Sequence, residues 1–237
     1  GEWLFSRALW GQPVRPDAEV RATIEADLGP ADGYWPALLE TRDAVEAWVG
    51  VAAARIDPAR YDLIGFTSTL QQDVAALALA RRGKEASPAT IIAVGGANWE
   101  ADAGVAQLEA FPWVDVAALG ESDLVVVDLA HAARGRTFGG VAGIAWRDGG
   151  VVRCTTPSAP VEDLDALPVP DYTDWQAQLD ASGLADEVLP HLCMETSRGC
   201  WWGARSHCTF CGLNGGSLRF RSKSPERVHA ELHELRA

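Results

Sequence analysis

Apolar residues follow two different rhythms along this chain. Up to about residue 55 the period is helical. Pro16-Asp17-Ala18-Glu19-Val20 opens a run in which Val20, Ile24 and Leu28 recur at i, i+4 and i+8, and Gly29-Pro30 closes it. Leu38, Val45, Trp48 and Val49 share one face of a second helix predicted over about Pro36 to Arg55. From Tyr61 to Val152 short apolar runs alternate with helical patterns. Leu63 to Thr67, Thr90 to Val94 and Val114 to Leu119 read as buried strands, and Gln71 to Arg82, Ala101 to Phe111 and Ser122 to Arg134 as the helices between and after them. A βαβαβ succession requires a parallel sheet with helices on its faces. Val141 to Trp146 and Val151 to Cys154 flank Asp148-Gly149-Gly150, a hairpin sequence. Pro157, Pro160, Pro168 and Pro170 then interrupt both periods and predict a linker. Beyond it, Val188 to Met194 is strand-like, Glu195 to Arg221 reads as a long loop, and Ser224-Pro225-Glu226 starts a last helix with a serine N-cap.

Composition narrows the picture. With 237 residues, 48% apolar, the chain can bury a proper core, and no apolar run is long enough to span a membrane. The formal charge of -13 would repel a phosphate backbone, which argues against nucleic acid as a partner. The charge is uneven. Residues 198–237 carry seven Lys/Arg against three Asp/Glu, net +4, which leaves -17 for the remainder. Five clustered cysteines and no signal-like opening predict a reducing, cytoplasmic setting. The chain opens on Gly1 and closes within a helical pattern, which predicts a fragment of a longer protein.

Chemistry concentrates in Cys200-Trp-Trp-Gly-Ala-Arg-Ser-His-Cys208-Thr-Phe-Cys211. Thiolates at such spacing want a metal, since unmetallated they repel and oxidise. Three is the informative count. A structural zinc is closed by four ligands, whereas three thiolates on a four-iron cubane leave one iron open to a substrate or cosubstrate. A zinc site completed by Cys193 or His207 is the alternative reading. Cys154 and Cys193, each in a strand-like run, read as small buried apolar residues. His229 and His233, four apart beside Glu231 and Glu234, read as a solvated helix face.

Ser197-Arg198-Gly199-Cys200, the Cys208-x-x-Cys211 pair and Phe210 before the last cysteine resemble the cluster loop of radical S-adenosylmethionine enzymes. Seven residues separate the first two cysteines, against three in most of that family. The wider form, with Gly203, His207, Gly212-Leu213-Asn214-Gly215 and Phe220-Arg221-Ser222-Lys223-Ser224-Pro225, is similar to a subgroup of peptide-maturation radical C-methyltransferases. The likeness extends back through Pro160 to Tyr172 and through Gly65-Phe66-Thr67, Gly95-Gly96-Ala97-Asn98 and Gly120-Glu121. It implies a 4Fe-4S cluster held by Cys200, Cys208 and Cys211, with Phe210 beside the bound S-adenosylmethionine. It also implies shielding of the cluster by Trp201 and Trp202, and loop amides that tune it through hydrogen bonds to sulfur.

The parallel region resembles a cobalamin-binding domain, in which the ligand lies beyond the carboxyl ends of the strands. Thr67, Ser68, Gly95, Gly96, Asn98, Gly120 and Glu121 fall there, although such glycines also serve ordinary strand-to-helix turns. The Asp-x-His-x-x-Gly motif that gives cobalt a histidine is absent, as is the Gly-x-Gly-x-x-Gly of a nicotinamide domain. The expected fold class is α/β: a flavodoxin-like, cobalamin-binding-like parallel sheet over residues 1–154, a Pro-rich linker over 155–187, and the first β/α unit of a radical enzyme partial TIM barrel over 188–237. The expected function is radical C-methylation of a ribosomally synthesised precursor peptide with S-adenosylmethionine and cobalamin. A flavodoxin or ferredoxin would serve as reductant, no membrane or nucleic acid would be a partner, and this segment alone would be inactive. Radical modification without methyl transfer and a non-catalytic zinc-stabilised binding module are the alternatives.

Overall fold

The computed structural model describes residues 1–211 and 218–235. Its chain divides into two units, Gly1–Pro160 and Val161–Ala237. The first is built around a five-stranded sheet in the order β1 (Leu63–Thr67), β2 (Ile91–Gly95), β3 (Val116–Ala118), β4 (Ile144–Asp148), β5 (Val151–Cys154). The first three strands are parallel, with Leu63 opposite Ile91 and Ala93 opposite Val116; β4 and β5 run antiparallel to their neighbours. Ile91 through Val94 are all buried, because both faces of β2 are covered. That double coverage is why β2 reads as a continuous apolar run.

Side-chain alternation sorts the core. Ile92, Val94, Ala117 and Ala145 meet Leu77 of α4 (Asp73–Ala86), Leu108 of α5 (Ala101–Ala110), and residues of α1 (Glu2–Trp10) and α3 (Trp35–Ile56) on one face. Ile91, Ala93, Val116 and Ile144 meet Leu129 and Ala132 of α6 (Val126–Gly135) on the other. Each leucine, isoleucine or valine buried in this way contributes about 1.5–3 kcal/mol. A satellite cluster joins α2 (Asp17–Leu28) through Val20 to Trp35 and Trp3. There Trp3 stacks on Trp35 at 5.6 Å, and the buried Arg42 guanidinium lies 5.0 Å above Trp3 while pairing with Asp17 at 2.5 Å.

The α/β class, the strand succession and the hairpin at Asp148-Gly149-Gly150 all stand as expected. Helix α1 was not foreseen, since its nine residues hold too few turns to show a period. The second unit departs further from expectation. Residues 188–194 form no strand: Pro190 interrupts them, Val188 to Cys193 are exposed, and among the described residues no strand pairs with them. Within the Pro-rich stretch a short turn at Leu164–Ala166 and helix α7 (Thr173–Ser182) form instead. The strands of this unit are β6 (Ser197–Arg198) and β7 (Arg221–Ser222), antiparallel, followed by α8 (Pro225–Glu234). Ser224 caps α8 as its sequence predicts, accepting the Arg227 N–H at 3.1 Å. Cys154 and Cys193 are exposed rather than buried, one ending an edge strand and the other in irregular backbone. Among the described residues no helix is long and apolar enough to cross a membrane.

Candidate functional site

The first candidate lies at the carboxyl ends of β1, β2 and β3. The connection after β2 leads to α5 on one face of the sheet, and the connection after β3 leads to α6 on the other. In open parallel sheets, strand ends where connections diverge in this way are where ligands bind. Gly95 sits at these ends: a Cβ there would meet Ala118 Cβ at 3.2 Å and Ser122 Oγ at 3.9 Å, so the turns after β2 and β3 adjoin. Gly120 has only Ser158 Oγ, 3.8 Å from where its Cβ would stand. Thr67 and Gly120 are exposed, and Glu121 is half-buried.

Four of the expected residues are locked together. Ser68 N–H donates to Gly95 O (2.8 Å), Asn98 N–H donates to Ser68 O (3.1 Å), and Asn98 Nδ2 donates to Ser68 Oγ (2.9 Å) and Leu70 O (2.8 Å). Gly96, at φ 97°, would place a Cβ 2.5 Å from Ser68 O, so it must be glycine for the fold itself. Ser68 is completely buried, and its hydroxyl donates to Asp73 Oδ1 (2.9 Å), which also accepts Trp99 Nε1–H (2.6 Å). Ser68 thus holds the turn, while Thr67 and Asn98 stand nearer solvent. Sequence reasoning missed Asp73 at the hub of this network. The available signal was Trp99, whose buried indole N–H requires an acceptor. It also missed Glu2, whose carboxylate accepts the Asp73 and Val74 N–H groups (3.0 and 2.8 Å) at the start of α4.

The second candidate is the cysteine loop. Gly199, at φ 76°, is crossed by the chain leaving the loop: a Cβ there would stand 2.2 Å from Arg219 O. Cys200 N–H donates to Leu218 O (3.1 Å), just past the loop end of the β6–β7 ladder. The loop therefore starts and ends at one clasp. Arg198 holds Glu195 through two hydrogen bonds (2.8 and 2.9 Å). Cys200, Cys208 and Cys211 are half-buried, Gly203 N–H donates to Cys200 Sγ at 3.2 Å, and Cys211 N–H donates to Cys208 O at 3.1 Å. Trp201 and Trp202 meet edge to face at 6.0 Å and are more than half exposed, and Phe210 is 90% exposed. Gly212 to Gly215 lie outside the described residues. Among the described residues no three His, Cys, Asp or Glu side chains are gathered so as to hold a metal ion, the three thiols included.

Behind the clasp, Lys223 is buried rather than solvated and Arg227 is half-buried. Lys223 bonds both Glu231 oxygens at 2.7 Å, and Arg227 Nε bonds Oε1 at 2.6 Å. Burial opposes ionisation of Glu231, but the hydrogen bonds from Lys223 and Arg227 outweigh it and hold the carboxyl below its usual range. Asp165 is held low as well, by hydrogen bonds from Ser224. His229 and His233 are exposed on α8 with ring centroids 4.5 Å apart.

No family model matches the chain. It is 28% identical over 184 residues to an uncharacterized methyltransferase of Pyrococcus horikoshii, covering 76% of this chain and 37% of that protein. It is 27% identical over 134 residues to the anaerobic magnesium-protoporphyrin IX monomethyl ester cyclase of Cereibacter sphaeroides, covering 54% of this chain and 20% of that one. The chain thus spans well under half the length of these curated relatives. Its fold matches that of OxsB, a cobalamin-dependent S-adenosylmethionine radical enzyme solved with aqua-cobalamin bound. The TM-score is 0.59 and the sequence identity 20%, over 79% of this chain and 25% of that one. The same enzyme without cobalamin gives a TM-score of 0.58.

Proposed function

We propose that this chain is the cofactor-holding part of a radical S-adenosylmethionine enzyme that uses cobalamin to methylate a carbon of a ribosomally made peptide. The observation that carries the reading is a pairing within one chain: a parallel sheet, in the fold of OxsB, whose connections after β2 and β3 diverge to opposite faces, followed by a three-thiol loop whose first sulfur already accepts a backbone N–H. The relatives named a methyltransferase and a cyclase support the same direction.

The residues suit the groups they would hold. Three thiols in one loop, outside the core, are a soft donor set for iron and sulfide, and a hydrogen bond to a ligating sulfur is what tunes such a cluster. At the strand ends, the exposed Thr67 hydroxyl and the exposed backbone of Gly120 are what this face offers to a large polar-fringed ligand, while Gly95, Gly96 and Asn98 hold the turn beside them. When bound, the cluster would deliver one electron to the sulfonium of S-adenosylmethionine and cobalamin would carry the methyl group. Cys200, Cys208 and Cys211 would bind the iron as thiolates. Gly203 would stabilise the charge on Cys200. Phe210, Trp201 and Trp202 would cover the loop and keep water from it. Exposed Arg205, in the net-positive part of the chain, would favour an acidic leader on the peptide.

Anaerobic reconstitution with iron and sulfide tests the reading. A broad visible absorbance that bleaches on reduction is expected, and replacement of any one of Cys200, Cys208 or Cys211 by alanine should abolish it. Stoichiometric zinc with no colour would overturn the cluster. Retention of cobalamin through gel filtration is expected for the methylating enzyme, and its loss would leave radical chemistry without methyl transfer.

A further inference from the structure

Between α1 and α2 lies a cavity that neither candidate site uses. Its volume is about 310 Å³ and its wall is almost wholly apolar. Trp3, Ser6 and Trp10 line it from α1, Val20 and Ile24 from α2, and Val74 from α4. Ser6 is small and buried, which leaves room between the two indoles; seven positions of helix set Trp3 and Trp10 about 10 Å apart along its axis. An apolar cavity of about 150 Å³ takes up benzene. This one therefore has room for about two fused rings.

Its rim carries an unanswered charge. Trp10, Val14 and Arg15 line the cavity and are exposed. Of the four arginines in the first 42 residues, Arg7, Arg21 and Arg42 each pair with a carboxylate, and Arg15 has no partner among the described residues. The neighbouring acids are already engaged. Glu2, on the same wall, accepts the Asp73 and Val74 N–H groups, and Asp17 holds Arg42. Trp3 adds a second donor: its ring N–H is buried and has no acceptor among the described residues, where a buried indole N–H ordinarily has one. Two indoles in an apolar wall suit an aromatic ring. A free guanidinium beside them suits a carboxylate, which it can bind through two parallel N–H groups. The Glu2 carboxylate nearby favours one negative charge over two, and so a carboxylate over a phosphate monoester.

We propose that this cavity is a binding site for a small aromatic carboxylate, with its rings between Trp3 and Trp10 and its charge on Arg15. The site is separate from the strand ends and the thiol loop and does not rest on the cofactor reading above. Calorimetric titration of naphthoate into the full chain tests it. One molecule should bind per chain, and the neutral naphthamide should bind at least tenfold more weakly. Arg15→Gln should weaken naphthoate at least tenfold without lowering the melting temperature, since the side chain is exposed and unpaired. Thr23→Trp, at an exposed position of α2 on the cavity wall, should fill the space and abolish binding while the circular dichroism stays that of the unsubstituted chain. The site is overturned if the unsubstituted chain binds no naphthoate, if the amide binds as tightly, or if Arg15→Gln leaves the affinity unchanged. Displacement of naphthoate by saturating hydroxocobalamin also overturns it, because the cavity would then be part of the cofactor site.

Discussion

Single positions at the strand ends show how far structure and function share residues. Gly96 would be expected from sequence to admit a cofactor to the backbone, yet the atom that most restricts it is Ser68 O, 2.5 Å from where its Cβ would stand. A methyl group there has to displace backbone and also adopt φ 97°, so Gly96→Ala should cost about 2–3 kcal/mol. Urea unfolding measures this directly. Asp73→Ala removes the acceptor of both Ser68 and Trp99 and should cost about 2 kcal/mol, since it leaves a buried hydroxyl and a buried indole N–H without their partner. Neither effect is readable from spacing. The glycine-rich turns are visible in the sequence, but which glycine faces a ligand and which faces the neighbouring turn depends on contacts between residues about thirty positions apart.

At the scale of elements, the parallel strands and their helices could be read because β2 and β3 are covered on both faces and so carry continuous apolar runs. Residues 188–194 carry a similar run and form no strand, because an apolar segment needs a paired neighbour as well as the right composition. Helix α8 shows the opposite case: its cap was legible, but its anchor was not. Glu231 is fully buried between Lys223 and Arg227, although its position beside two histidines and Glu234 reads as a solvated face. Glu231→Ala leaves the buried Lys223 ammonium uncompensated and should cost about 3–5 kcal/mol. Replacing Glu231 and Lys223 together by leucine and methionine should cost much less. Thermal denaturation of the single and double variants separates the two cases. The carboxyls of Glu231 and Asp165 are both held below their usual range, so their contribution is present above an unfolded pKa of roughly 4 and is lost as the pH falls through their lower folded values. Protection of α8 amides against hydrogen exchange should therefore hold from neutral pH down to about 4 and fall below it, and Glu231→Ala should remove the Glu231 share of that dependence and leave the Asp165 share.

For the molecule as a whole, the division at Pro160 and Val161 separates the two candidate sites, with the strand ends in one unit and the thiol loop in the other. Ligands should accordingly stabilise different stretches. A cofactor held at 100 times its dissociation constant adds about 2.7 kcal/mol to the state that binds it. Hydroxocobalamin should slow hydrogen exchange mainly in residues 63–122, and reconstituted iron and sulfide mainly in residues 197–235. Mass-resolved exchange with each ligand alone makes the comparison.

The crossing at Gly199 bears on the unusual spacing of the cysteines. Entry to and exit from the loop are knotted at a point where one hydrogen atom is all that fits between Gly199 and Arg219. The cord inside such a noose can be paid out or drawn in without loosening the knot. Lengthening or shortening the seven residues between Cys200 and Cys208 should therefore alter the reach of the Cys208 sulfur and leave the anchorage of Cys200 untouched.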